Sequence, residues 1–266
     1  IAQRDIEKVF PAAAFSAVLC VAVIVVCGAQ STTEFTWDLP KGFPMPAVPA
    51  DNPMSVAKAE LGRHLFYDLR LSGNGQQSCA TCHQQEKAFT DGLTTSAGST
   101  GEDHPRNSMS LVNVAYAATL TWANPTMTRL EDQALVPMFG RHPIELGLGE
   151  DREWLDPLRR EPRYVGLFER AFPGEADGVT RADVVKALAT FQRTIVSARS
   201  PYDRYHFERD DQAVSPAAKR GEVLFHSRPL ACFTCHGGFN LSGATRRPGS
   251  SEGAGGEFHN TGLYNL

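Results

Sequence analysis

Apolar residues are distributed along this chain in three ways, and each predicts a different kind of segment. From Phe10 to Ala29 they form a nearly unbroken run behind Arg4 and Lys8. This is the layout of an export signal, while its length approaches the roughly 20 residues that cross a bilayer. Residues 1–29 therefore read as a signal peptide or a retained membrane anchor; small Gly28 and Ala29 at the exit favour cleavage, and bulky Val26 argues against lipid attachment at Cys27. Residues 30–54 carry Pro40, Pro44, Pro46, Pro49 and Pro53, which exclude helix and central strand and predict an extended strap. Beyond them the apolar spacing becomes helical. Asn52 and Pro53 suit the cap and first position of a helix in which Ala57, Leu61 and Leu65 share a face, ending near Asp68. Thr180, with Asp183 three positions on, starts another whose inner face is Val184, Leu188, Phe191 and Ile195. Convincing period-two alternation is missing, so the predicted class is mainly α with long loops. The Gly-, Ser- and Pro-rich residues 237–256 are predicted to be a mobile loop.

The chain also repeats itself. Gly62-Arg63-His64-Leu65-Phe66 returns 159 residues later as Gly221-Glu222-Val223-Leu224-Phe225. A C-x-x-C-H sequence follows each copy, at Cys79-Ala80-Thr81-Cys82-His83 and, 153 residues on, at Cys232-Phe233-Thr234-Cys235-His236. The spacing predicts two related modules, over residues 55–205 and 206–266, each a small helical unit.

Composition narrows the picture. With 266 residues, 42% of them hydrophobic, the chain has material for one large core or two small ones, and disorder is excluded. A formal net charge of −4 with no basic block provides no phosphate-neutralising surface, so nucleic acid is excluded as a partner.

C-x-x-C-H is the signature of covalent c-type haem attachment. Two thiols three positions apart on one turn can each add to a haem vinyl group, and the next residue then presents its imidazole to the iron. Zinc would want four converging ligands, and a dithiol redox pair needs no His after both second cysteines. Two haem c groups are the expected cofactors, with Cys79, Cys82, Cys232 and Cys235 as attachment points and His83 and His236 as axial ligands. Bacterial haem c maturation takes place outside the cytoplasm, so the motifs and the export-type start agree on a periplasmic location.

Around these motifs the sequence resembles the bacterial dihaem cytochrome c peroxidase family, which includes the MauG-type enzymes. The matching residues are Leu61-Gly62, Leu65-Phe66-Tyr67-Asp68 and Arg70-Leu71-Ser72 before the first haem motif. After it come Ala88-Phe89-Thr90-Asp91-Gly92, Arg106-Asn107, Leu111-Val112-Asn113-Val114-Ala115-Tyr116 and Leu130-Glu131-Asp132-Gln133-Ala134. Thr121-Trp122-Ala123-Asn124-Pro125 and the closing Phe258-His259-Asn260-Thr261-Gly262-Leu263-Tyr264-Asn265 resemble the MbnH-type subgroup. Enzymes of that subgroup are associated with methanobactin and copper proteins and oxidise a tryptophan on a partner protein.

The resemblance implies two cytochrome c-like haem domains, the first reacting with hydrogen peroxide at His83 and the second, at His236, storing or relaying electrons. It makes Glu145 the distal acid–base carboxylate, Gln133 and Pro137 its companions in the distal pocket, and Trp122 the tryptophan that carries oxidising equivalents between the haems. The family's W-D-G-R setting is here Trp-Ala-Asn-Pro. Asn107 matches a ligand of an interhaem calcium ion, one oxygen against the roughly six to eight that calcium takes. On residue type alone, Glu145 also reads as a solvated loop carboxylate, Gln133 as an exposed amide and Trp122 as a buried aromatic with its N–H satisfied.

Two departures from the family pattern matter. Ser99 stands where many classical members carry a His that blocks the first iron; Ser is a poor iron ligand, so an open first haem without reductive activation is expected. His104, five positions later and beside Pro105, reads as a loop residue. The far-side ligand of the family's second haem, Met or Tyr, lies well downstream of the second motif, whereas 30 residues follow His236 here. Tyr264 and His259 are too near to match it, and a missing final segment is expected. The function implied is peroxide reduction with electrons from a small cytochrome or cupredoxin, or from a residue of a protein substrate. A dihaem electron carrier without peroxide chemistry is the rival.

Overall fold

The longest helix among the described residues begins where Thr180 turns its hydroxyl inward to accept a hydrogen bond from the Asp183 amide at 3.2 Å, a side-chain cap that satisfies one of the helix's free N–H groups. The computed structural model describes residues 34–175, 178–246 and 258–259. The apolar run within residues 1–29, the loop from 247 to 257 and Tyr264 lie outside the described residues. Among the described residues the α-helices are α1 (Val56–Phe66), α2 (Cys79–Cys82), α3 (Leu130–Phe139), α4 (Asp156–Arg160), α5 (Pro162–Ala171), α6 (Arg181–Arg193), α7 (Pro201–Phe207) and α8 (Pro216–Phe225). Four isolated β-bridges take the place of strands among these residues, in line with the mainly α class. None of the described helices is long and apolar enough to cross a membrane.

The core forms where α1 and α3 pack on α6, with α5 against α1. Leu61 and Leu65 of α1 and Val184, Ala187 and Leu188 of α6 are all but fully buried. Each large apolar side chain removed from water contributes about 1.5–3 kcal/mol. Gly62 sets the closeness of the crossing: a Cβ there would stand 1.9 Å from the Ala187 carbonyl oxygen. Ile195, expected on the helix face, lies just past the α6 end and is still buried.

The start of α1 differs from expectation. Its cap is Ser55, whose hydroxyl accepts from the Lys58 amide at 3.1 Å, and Asn52 is instead drawn into the core, 1% exposed. The Asn52 amide donates to Glu131 Oε1 at 2.7 Å and to the Lys186 carbonyl at 3.0 Å, while its oxygen accepts from Lys58 Nζ at 3.0 Å. Arg193 completes this cluster with two bonds to the Glu131 carboxylate, 2.8 and 2.9 Å long. A long-range polar network, which no local spacing encodes, took Asn52 from the helix cap.

Residues 34–54 of the proline-rich segment form neither helix nor strand and are pinned by Phe43, buried against Tyr116, Phe207 and Phe239. Tyr116 donates its hydroxyl proton to the Pro44 carbonyl at 2.8 Å. The described part of the loop expected to be mobile is tied down: the Ala118 amide donates to Ala244 O and the Arg246 amide to Tyr116 O, each at 2.7 Å.

The repeat holds in local structure and not in packing. In both copies a helix bearing G-x-x-L-F precedes the C-x-x-C-H turn. Leu65 and Phe66 are buried, however, while their counterpart Leu224 is 55% exposed, with Val223 at 72%.

Replacing Gly62 with Val should force α1 and α6 apart and cost about 1–3 kcal/mol or more, read as a lower urea midpoint in the haem-loaded protein. Glu131→Ala leaves Arg193 buried without its partner and should cost about 3–5 kcal/mol. Burial acts to raise the Glu131 pKa, but the bonds from Arg193 outweigh it and hold the carboxyl below its ordinary value of 4.5. A carboxyl whose folded pKa is depressed contributes stability above its unfolded value and loses it as pH falls through the folded one. Stability below pH 4.5 should therefore fall more steeply in the native protein than in Glu131→Gln.

Candidate haem site

α2 is one turn long, and its sequence explains its form. Ser78 donates its amide proton to Thr81 Oγ1 at 3.0 Å, and the His83 amide closes the turn on the Cys79 carbonyl at 3.0 Å. Cys79 and Cys82 are thereby set on one side as free thiols. Burial pushes the Cys79 thiol up to about 12, so in this structure it is a neutral thiol.

The segment after His83 turns back to hold its ring. Ala88 and Phe89 both adopt left-handed backbone, at φ 56° and 58°, a conformation uncommon for residues with a Cβ. It brings the Phe89 carbonyl to 2.8 Å from His83 Nδ1. With its proton shared there, Nδ1 is the donor, which leaves Nε2 as the nitrogen that would ligate a metal. Burial lowers the His83 pKa against the opposing pull of that carbonyl, which keeps the ring neutral, as metal ligation requires.

Cys79, Cys82 and His83 form one wall of a cavity of about 560 Å³, within the range of cofactor sites. Gln133 and Pro137 from α3, and Glu145 from the loop after it, line the same cavity. Pro137 lacks the N–H that would return to the carbonyl four residues back, so α3 is locally loosened there, and the Pro137 carbonyl accepts from the Leu146 amide at 2.8 Å. Leu148 N to Met138 O at 2.9 Å and Gly73 N to Leu146 O at 2.7 Å hold the rest of the loop. Glu145 is thus fixed on three sides by backbone hydrogen bonds. Its half-buried carboxyl is raised above the usual range by burial, an effect the nearby His104 partly opposes.

The structure brings together His83, Cys79, Cys82, Gln133, Pro137 and Glu145, with Trp122 and Asn107 also lining the cavity. Trp122 is 40% exposed rather than buried; its indole N–H donates to the Asn107 carbonyl at 3.1 Å, and the Arg106 guanidinium stands 5.9 Å from its ring. His104, read from sequence as an ordinary loop residue, lines the same cavity, with Nε2 4.0 Å from Glu145 Oε1. Its neighbours in sequence gave no sign of this, because a fold of the 96–104 segment delivers it.

The donor set, two unlinked thiols and a neutral imidazole with its second nitrogen anchored, fits haem c at this wall. The second motif has the same donors on a tight turn, Cys232–Thr234 followed by Cys235 and His236. Beside it lie exposed apolar side chains, Val223, Leu224, Leu230 and Phe233. Asn107, the expected calcium ligand, lines the cavity with its side-chain amide 3.5 Å from the Ser108 carbonyl and its own carbonyl accepting from Trp122.

Comparison with known proteins agrees with the geometry. Residues 56–212 match the family model described as di-haem cytochrome c peroxidase. The chain is 40% identical over 225 residues to cytochrome-c peroxidase IdrP1 of Denitromonas iodatirespirans, covering 83% of this chain and 57% of that protein. It is 35% identical over 195 residues to the methylamine utilization protein MauG of Methylophilus methylotrophus, covering 73% and 56%. Among solved structures, a MauG-like protein associated with microbial copper homeostasis superposes with a TM-score of 0.81 at 43% identity, over 87% of this chain and 66% of that one. The diheme peroxidase BthA of Burkholderia thailandensis shares the fold, with a TM-score of 0.60 at 23% identity over 73% of this chain and 54% of its own. The chain spans a little over half the length of the curated relatives it matches. By family model, by identity and by the haem-binding wall that its own residues build, this chain belongs to the bacterial dihaem cytochrome c peroxidase and MauG family.

Proposed function

We propose that the chain is the peroxide-reacting part of a periplasmic dihaem c-type oxidoreductase, its N-terminal module taking hydrogen peroxide and its C-terminal module, at His236, relaying electrons. The observation that carries this reading is one cavity lined by an anchored imidazole and two thiols together with a raised carboxyl, an amide and a proline. When bound, haem c supplies the redox-active iron with a coordination position for the oxidant. What remains for the polypeptide is proton transfer and positioning.

Hydrogen peroxide, two protons and two electrons give two waters. One proton must move from the oxygen nearer the metal to the oxygen that departs. Glu145 is the carboxyl in that cavity: ionised, it accepts the first proton; protonated, it returns it to the leaving oxygen. A raised pKa suits the second half of this cycle near neutrality. Gln133 offers both an N–H donor and a carbonyl acceptor to orient the oxidant, and Pro137, without an N–H, presents only carbon to the cavity. Trp122, with its N–H tied to Asn107, is the aromatic ring through which electrons pass towards the cavity. Support for the periplasm comes from the haem c motifs and from the export-type residues 1–29.

The donor is a small cytochrome or cupredoxin in the first version. In a second version it is a residue on a protein substrate that becomes oxidised. Two observations favour keeping it: Ser99, not an imidazole, occupies the hairpin tip beside Glu145, and the 43%-identical solved relative is a MauG-like protein associated with copper homeostasis.

Purified protein should yield peptides containing Cys79–Cys82 and Cys232–Cys235 that are each heavier by one porphyrin on mass spectrometry. Absorption and EPR spectra should show one five-coordinate or weakly ligated ferric haem that peroxide alters stoichiometrically; two low-spin haems indifferent to peroxide would make the chain an electron carrier. Glu145→Gln should slow the peroxide reaction by about 100-fold or more with haem content unchanged, measured by stopped-flow absorption. Trp122→Phe should leave that first reaction intact and impair charge sharing between the haems.

A further inference from the structure

A second ionisable group faces Glu145 from a hairpin that the proposed reaction does not use. Residues 96–104 fold back on themselves through Gly98 N to Glu102 O at 2.8 Å, Gly101 N to Gly98 O at 2.9 Å and His104 N to Ser96 O at 2.8 Å. At the base, the Ser96 hydroxyl donates to Asp91 at 2.5 Å; near the tip, Asn74 Nδ2 donates to the Ser99 carbonyl at 2.7 Å. The tip is pressed onto the Glu145 loop. The Ser99 amide donates to the Glu145 carbonyl at 2.7 Å, and a Cβ on Gly98 would stand 1.7 Å from Ile144 O. Two loops joined this tightly hold their side chains in fixed relation, and His104 Nε2 lies 4.0 Å from Glu145 Oε1.

We propose that His104 is a positioning residue for this site: an imidazole whose charge biases Glu145 towards its carboxylate. The inference rests on the peroxide reading above. A separation of 4.0 Å is too long for a direct hydrogen bond and well within the range of charge–charge coupling. The His104 side chain lines the cavity and keeps 18% of its surface exposed. Other ionisable groups are less suited to the role. Cys79, Cys82 and His83 sit on the haem-attachment wall, and Arg106 faces Trp122. On the Glu145 loop itself, Arg141 pairs outward with Glu150 at 3.5 Å, and His142 precedes Pro143. Burial drives the Glu145 carboxyl up, and His104 is the charge that draws it back. A positive imidazole favours the carboxylate that accepts a proton; removing it leaves the carboxyl protonated to higher pH.

The test is an infrared titration of the haem-loaded protein, following the carboxylic C=O band that Glu145→Gln removes. His104→Gln should move the midpoint of that band up by about one pH unit, equivalent to roughly tenfold slower peroxide reaction below the new midpoint. His104→Lys keeps a positive charge and should leave the midpoint at or below the native value, so the two variants part in opposite directions. A midpoint unchanged in His104→Gln, or raised in both variants, overturns the proposal. Should the Gln variant lose its haems, the Lys variant decides, since a midpoint above the native one sinks the idea. The titration needs no peroxide: a Glu145→Gln protein with normal peroxide kinetics would remove the parent reading and leave the His104–Glu145 pair to be judged by its own midpoint.

Discussion

The bidentate pair between Arg193 and Glu131 is the interaction on which the described architecture turns. It lies with both side chains almost wholly buried and joins α6 to α3, the helix that carries Gln133 and Pro137. Charges removed from water are costly unless every lone pair and proton is used. Here the remaining acceptor capacity of Glu131 is taken by Asn52, whose own oxygen receives Lys58. The cluster therefore ties the strap, α1, α3 and α6 at one point, and α3 can present its cavity-facing residues only in the orientation this knot allows.

From that knot the haem-attachment wall and the other cavity residues are assembled by different means. The attachment wall is local: one helical turn, a bend of two left-handed residues and a carbonyl returned to His83. The remainder is non-local: α3 is held by Arg193 behind it, and the Glu145 loop is held by α3, the 96–104 hairpin and Gly73. This division explains what could be read from sequence. The turn that carries Cys79, Cys82 and His83 and the Thr180 cap depend on neighbours a few positions away, and their local geometry was legible there. Asn52 and His104 depend on partners 79 and 41 positions distant, and local pattern assigned them to a helix cap and a plain loop.

Glu145 stands between the two cases. Its role came by resemblance, and its raised carboxyl follows from burial that only the folded chain supplies. The second module illustrates the opposite limit. Its helix, turn and donors repeat the first in sequence, yet among the described residues Gly221 meets nothing where Gly62 meets α6. Identical local patterns gave unlike packing because the first copy has α6 to rest upon.

The carbonyl that anchors His83 has an electronic consequence. An imidazole sharing its proton with a carboxylate gains anionic character and becomes a stronger donor to its metal. Phe89 offers a neutral amide oxygen instead, so the ring pushes less electron density forward. A haem iron held there would be biased towards its ferrous state relative to carboxylate-backed histidine sites, through the two left-handed residues that deliver the carbonyl.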